Sequence, residues 1–162
     1  MISKNLADKI IYQINREIYS GYLYLGMASY AYSIGLKGFA NWFKCQFKEE
    51  LEHAENMYNY LSEKGARVML DAIEMPPQDF KSASELFEKT LAHEKAVTKL
   101  IQGLFDIAEQ EHDDETAKFL SWFVKEQIEE EATPASIIRK IDESGRDPQG
   151  LAKVDAMLLN RK

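Results

Sequence analysis

With 162 residues, 45% of them hydrophobic, the chain can bury one sizeable core and has little room for a second, so a single domain over 1–162 is expected. A formal charge of -7 disfavours a nucleic-acid partner, whose phosphates need clustered Lys and Arg, and suits the attraction of cations. Cys45 is the only cysteine, which excludes an intrachain disulfide and a four-cysteine iron or zinc site, and no apolar run approaches the roughly 18–20 residues that cross a membrane, so a soluble cytoplasmic protein is expected.

The first helix is expected from about Ser3 to Ile34. Its apolar seam reads Leu6, Ile10, Ile14, Glu17, Gly21, Tyr24, Ala28, stepping by fours and threes as a face packed on other helices must. Gly35 turns the chain into a second helix, from about Gly38 to Lys64 with a stop at Gly65. Its seam is Phe39, Phe43, Gln46, Glu50, His53, Met57, Tyr60, and the short turn makes the two helices an antiparallel hairpin. Residues 67–81 have neither helical period nor flexible-linker composition. They read as an ordered connection, long enough in extended form to span the bundle.

Ser82 or Ser84 caps a third helix that runs to about Gln110, with the seam Phe87, Thr90, Glu94, Val97, Ile101, Leu104, Ala108. Asp113 or Asp114 caps the fourth, whose seam is Leu120, Phe123, Gln127, Glu130, Ile137 and Ile141; it ends near Glu143, with a kink expected at Pro134. Asp147 followed by Pro148 starts a short fifth helix through Leu159. With no strand-like alternation anywhere, the fold class is all-α: a four-helix bundle made of two hairpins, one long crossover between them, and a short fifth helix.

Five metal-ligand side chains and one amide interrupt these seams: Glu17, Glu50, His53, Glu94, Gln127 and Glu130. Counting residues from each turn places all six near mid-height of the bundle, to within about one helical turn of 5.4 Å. An unpaired carboxylate buried in a core costs several kcal/mol, so four of them persist only if protonated, solvated or neutralised by cations. Two divalent metals would balance them. Glu50 and His53 form a Glu-x-x-His pair whose side chains leave one helix face together. Oxygen-rich ligation with a single imidazole suits iron or manganese and is poor for structural zinc.

These residues make a family recognisable: from the first helix to the fifth, the chain resembles the non-haem ferritins of bacteria and archaea. The resemblance implies a ferritin-like bundle in which Glu17, Glu50, His53, Glu94, Gln127 and Glu130 hold a di-iron ferroxidase centre, Glu50 bridges the irons, and Tyr24 stands beside them. It also implies a third iron site from Glu49, Glu126 and Glu129, with Glu130 shared; the same acidic run also reads as a solvated helix face. The second pair separates relatives. Bacterioferritin and many di-iron enzymes carry a second Glu-x-x-His where this chain has Gln127-Ile128-Glu129-Glu130, and Leu51 stands where bacterioferritin has a haem-ligating methionine, so no haem is expected. Rubrerythrin would need cysteines that are missing, and the mini-ferritins lack the fifth helix.

What the resemblance implies is an iron-storage protein that oxidises Fe(II) with dioxygen or hydrogen peroxide and keeps the Fe(III) mineral in a hollow homo-oligomer of 24 subunits. The alternative is a di-iron oxygenase or peroxidase without mineral storage; a helical interaction module with hydrated seam carboxylates is a third. The fifth helix, with Leu151, Val154 and Leu158 on one side, would pack around an axis of the shell or cover the end of its own bundle. Trp122 is expected in the core, and His93 and His112 lie off the seams as surface or turn histidines.

Overall fold

The computed structural model describes residues 1–162 as five helices: α1 (Lys4–Ser33), α2 (Lys37–Glu63), α3 (Ala83–Gln110), α4 (Asp114–Ser144) and α5 (Pro148–Leu158). Their starts follow local chemistry. Ser3, Ser82, Asp113 and Asp147 each accept a backbone N–H of the first turn, at Leu6, Glu85, Thr116 and Gly150 respectively. Gly35 and Gly65 end α1 and α2 with φ of 83° and 76°, and His112 makes the corresponding left-handed turn before α4 at φ 56°. Helix α4 continues through Pro134, whose missing N–H leaves the Glu130 carbonyl without its intrahelical donor.

Every residue of the four expected seams is buried. Helix α1 packs most extensively on α2, and α3 on α4, which are the two hairpins of the bundle. The crossover has no regular secondary structure and lies along α1. Asn15 Nδ2 donates to the carbonyls of Asp71 (3.3 Å) and Ala72 (2.9 Å), Arg16 pairs with Glu74 at 2.8 Å, and the Phe80 ring meets Tyr30 edge-on at 5.3 Å. The Asn15 contacts satisfy two carbonyls that a structureless segment would otherwise leave bare, and the other two tie its side chains to α1.

Two separate apolar clusters fill the bundle. One joins Leu23 to Ala31 of α1 with Phe39 to Phe43, Phe80 to Phe87, Ile137, Ile141, and Val154 and Leu158 of α5. The other joins Leu6 to Ile14 with Ala54 to Leu61, Val97 to Ala108, and Ala117 to Phe123. On all four long helices the residues between the clusters are the polar ones, so a polar layer crosses the bundle at mid-height. Helix α5 covers the end of its own bundle, burying Val154 and Leu158 against α2 and α4. Its approach requires Gly38: a Cβ there would lie 1.8 Å from the Asp155 carbonyl oxygen. Asp155 Oδ1 accepts the Phe39 N–H at 2.9 Å across the same contact.

Candidate metal centre

Seven polar side chains from four helices meet in the mid-height layer: Glu17, Gln46, Glu50, His53, Glu94, Gln127 and Glu130, none more than 8% exposed. Each sits one or two turns from an apolar seam residue of its own helix, so the packing that buries Ile14, Phe43, Val97 and Phe123 also fixes these groups inward. Their ligand atoms fall into overlapping groups, each within 4.8 Å: Glu17 with Glu50 and His53, Glu50 with Glu94 and Glu130, and His53 with Glu126 and Glu130. Glu50 belongs to the first two groups at once. Glu49 and Glu129 join none of the three, although both line, with Glu126 and Glu130, an open cavity of about 730 Å³ beside the layer.

Neutral donors orient the carboxylates. Gln13, one turn before Glu17, donates to Glu17 Oε1 at 2.7 Å. Gln46 Nε2 reaches Glu50 Oε1 at 3.0 Å and Glu130 Oε2 at 2.6 Å. The Gln127 amide nitrogen lies 3.2 Å from Glu94 Oε2 and 3.1 Å from the Thr98 hydroxyl, which turns its amide oxygen away from them. Tyr24, fully buried and stacked on Phe43, donates its phenolic hydrogen to Glu94 Oε1. His53 Nδ1 is 3.3 Å from Glu50 Oε2 and 3.9 Å from Glu17 Oε2, with its ring wedged edge-on to Trp122 and Phe123.

Without a cation this layer resists ionisation. Burial pushes the carboxyls of Glu17 and Glu50 well above the carboxylate range, and neighbouring carboxylates add to it: Glu50 acts on Glu17, and Glu94 and Glu130 act on Glu50. Burial also raises Glu94 to about 7, with the Tyr24 hydrogen bond pulling the other way, and Glu130 to about 8, with Glu94 adding repulsion. The Tyr24 hydroxyl is raised by burial and then by Glu94. Glu17 Oε2 is buried and has no hydrogen-bond partner. A buried acceptor left bare costs about 1–3 kcal/mol, and a cation between Glu17, Glu50 and His53 would satisfy it. Four carboxylates, an imidazole and an amide oxygen suit iron by their hardness and charge.

Two expectations need correction. His93 is no surface histidine: it is half-buried between α1 and α3, its Nε2 is 2.7 Å from the Ser20 hydroxyl, and its ring meets Tyr24 edge-on at 6.0 Å. Burial, reinforced by Arg16, lowers its pKa to about 4, so it is neutral at pH 7. Trp122 is 48% exposed rather than part of the core, because it stands on the flank of α4 and covers His53 from outside. His112 is the exposed turn residue expected, and Asp113 in the same acidic stretch caps α4. Unforeseen were the roles of Gln13 and Gln46, each four residues before a carboxylate it holds, and of Arg161, whose guanidinium bonds Gln46 Oε1 at 2.9 Å and Glu49 Oε2 at 2.8 Å. The spacing of four was a usable signal for the glutamines; nothing in the pattern marked Arg161.

A helical bundle with one long crossover and carboxylates from all four helices around a histidine defines the di-metal carboxylate class. The family of the Ferritin-like domain matches residues 7–144, and the chain belongs to it. It is 40% identical over 161 residues to a bacterial non-heme ferritin of Bacteroides fragilis, covering 99% of this chain and all of that one. It is 38% identical over 151 residues to a bacterial non-heme ferritin of Staphylococcus aureus, covering 93% of this chain and 91% of that one. An open-pore ferritin from the archaeon Archaeoglobus fulgidus superposes with a TM-score of 0.98 at 47% identity, over the full length of both chains.

Proposed function

We propose that this protein oxidises Fe(II) in the mid-height layer and stores the Fe(III) as a mineral in a hollow shell of identical subunits. The observation that carries this reading is the position of Glu50, shared between a group with Glu17 and His53 and a group with Glu94 and Glu130. Fe(II) is the substrate: one ion is taken by Glu17, Glu50 and His53, the other by Glu50, Glu94 and Glu130, with the Gln127 amide beside it and able to join by turning its oxygen inward. Two Fe(II) give up one electron each; with two protons they reduce dioxygen to hydrogen peroxide, or hydrogen peroxide to water.

The residues divide the work. Anionic oxygen donors favour Fe(III) over Fe(II) and so assist the loss of the electron. The protonated carboxyls release their protons as cations arrive, because the charge that disfavoured ionisation is now compensated. His53 fixes the first ion, while a neutral amide at Gln127, where related centres carry the glutamate of a second Glu-x-x-His, holds the second more weakly and eases the exit of product. Tyr24 holds Glu94 in place through its hydrogen bond. Glu49, Glu126, Glu129 and Glu130 take a third ion in the adjoining cavity, on the way to the mineral. Mineral needs an enclosed volume, which in this reading is a cytoplasmic shell of 24 subunits of 18.6 kDa, about 450 kDa.

Light scattering after size-exclusion chromatography, before and after aerobic loading with excess Fe(II), tests both halves. A particle near the shell mass that holds ferric iron far beyond three ions per subunit is the expected result. A small oligomer that saturates at two ions per subunit would overturn storage and leave a di-iron oxygenase or peroxidase.

A further inference from the structure

The cavity beside the polar layer already contains a cation of the protein's own. Arg161, in the segment after α5, extends its guanidinium to Glu49 Oε2 at 2.8 Å and Gln46 Oε1 at 2.9 Å, and donates to the Trp42 carbonyl at 3.2 Å. It lies over the Trp42 ring, 4.6 Å from its centre, and its side chain is only 22% exposed. The segment is tied down from α2: Asn41 Nδ2 donates to the carbonyls of Leu158 (3.2 Å) and Arg161 (2.9 Å). Arg139 and Lys140 line the same cavity and form no ion pair with its glutamates, so the contact with Glu49 is particular to Arg161.

This explains why Glu49 is missing from the clustered ligands. Its carboxylate is held by the guanidinium on the α2 wall, while Glu126 on the α4 wall converges with His53 and Glu130. The same guanidinium also sets the Gln46 amide. With Oε1 committed to Arg161, Nε2 must face Glu50 and Glu130, so one arginine is linked through one amide to carboxylates of both proposed sites.

We propose that Arg161 is a resident counter-ion of the third site: it occupies Glu49 in the empty protein, a third cation must displace it, and it thereby sets that site's affinity below that of the pair. A planar guanidinium with two donors on neighbouring acceptors holds better than an ammonium would, yet it is a single charge at a partly exposed pair, so a divalent ion can replace it. The proposal rests on the reading that Glu49, Glu126, Glu129 and Glu130 bind a cation. Arg161 acts here as a positioning residue and touches no reacting atom.

The test is anaerobic calorimetric titration of the assembled metal-free protein with Zn(II), which is redox-silent. The third-site equivalent is identified as the one lost in Glu129→Gln. Arg161→Gln should tighten that equivalent up to about fivefold and leave the first two within about twofold, since about 1 kcal/mol of competing ion pairing at a partly exposed pair corresponds to a factor of about five. Arg161→Lys keeps the charge but loses the paired donor contacts, so it should fall between the native value and that of Arg161→Gln. Asn41→Ala, which frees the segment without touching the guanidinium, should shift the third equivalent in the same direction as Arg161→Gln and stands in for it should that variant fail to assemble. A third equivalent that is unchanged or weakened in Arg161→Gln, or equally tightened in the lysine variant, overturns the competition. Absence of any equivalent sensitive to Glu129→Gln, in native and Arg161→Gln protein alike, overturns the third site itself.

Discussion

Gln46 on α2 donates to Glu130 on α4 over 2.6 Å, and the same nitrogen reaches Glu50 at 3.0 Å. A neutral amide thus holds, in the empty protein, two carboxylates that the proposed pair of ions would otherwise organise. Gln46→Leu keeps most of the volume and strips both acceptors of their donor. It should lower the stability of the metal-free protein by about 1–3 kcal/mol in urea unfolding, and bound Zn(II) should recover part of that loss.

Replacing a carboxyl should not carry that cost. Glu50 resists ionisation because of burial and of Glu94 and Glu130, so Glu50→Gln, an uncharged group of the same shape, adds no penalty to the metal-free layer. The variant should assemble normally and melt no lower than the native protein when metal-free, while stopped-flow oxidation of Fe(II) falls about a hundredfold or more, the scale of losing an essential catalytic contact. Loss of assembly, or native oxidation rates, would contradict the role given to Glu50.

The pH dependence follows from the raised carboxyls. For an acid with folded pKa above its unfolded value, the folded state binds more protons between the two values, so stability falls as pH rises through that window. Glu94 at about 7 and Glu130 at about 8 place the loss between the ordinary carboxyl value of 4.5 and about pH 7 and 8 respectively. His93 works oppositely, its lowered pKa of about 4 adding stability as pH rises towards 6.5, so it is silent in the upper part of that window. Scanning calorimetry of metal-free protein should therefore show a melting temperature that falls from pH 6.5 to about 8 and then levels, and Zn(II) should abolish the slope.

Tyr24→Phe keeps the stacking on Phe43 and removes the hydrogen bond to Glu94. That bond lowers the Glu94 pKa, so its loss leaves Glu94 more fully protonated near neutrality. Anaerobic Zn(II) binding should weaken, and more at pH 6.5 than at pH 8.5, where the proton is gone in either protein. An equal loss at both pH values would mean that the tyrosine acts on geometry alone.

Gly38→Ala tests the docking of α5. The new Cβ would meet the Asp155 carbonyl, a backbone group that cannot rotate away, so α5 must shift. A cost of about 1–3 kcal/mol, the range for overpacking, should appear together with faster amide exchange over residues 148–161.

The bundle and its polar layer were legible because both are written in helical periodicity. Glu17, Glu50, Glu94 and Glu130 fall on seams whose apolar members are all buried, and burial follows from spacing alone. Trp122 and His93 were misplaced because hydrophobicity and seam membership say little about a residue on the flank of a helix. His93 is enclosed by Tyr19, Ser20 and Tyr24 of α1, and only the packing of α1 on α3 decides that. Arg161 meets Glu49 across 112 residues, through a segment with no period to read. The crossover was legible as ordered but not in its course, which depends on Asn15 reaching two carbonyls.

The two apolar clusters give the subunit an uneven strength along its axis. Each half is held by dispersion and the exclusion of water, whereas the stratum between them contributes mainly strained electrostatics until something positive arrives. Cargo therefore works as mortar. The subunit is two masonry blocks on either side of a course of acids, and cations held in that course would tie the blocks together, so loading would also strengthen the wall around the load.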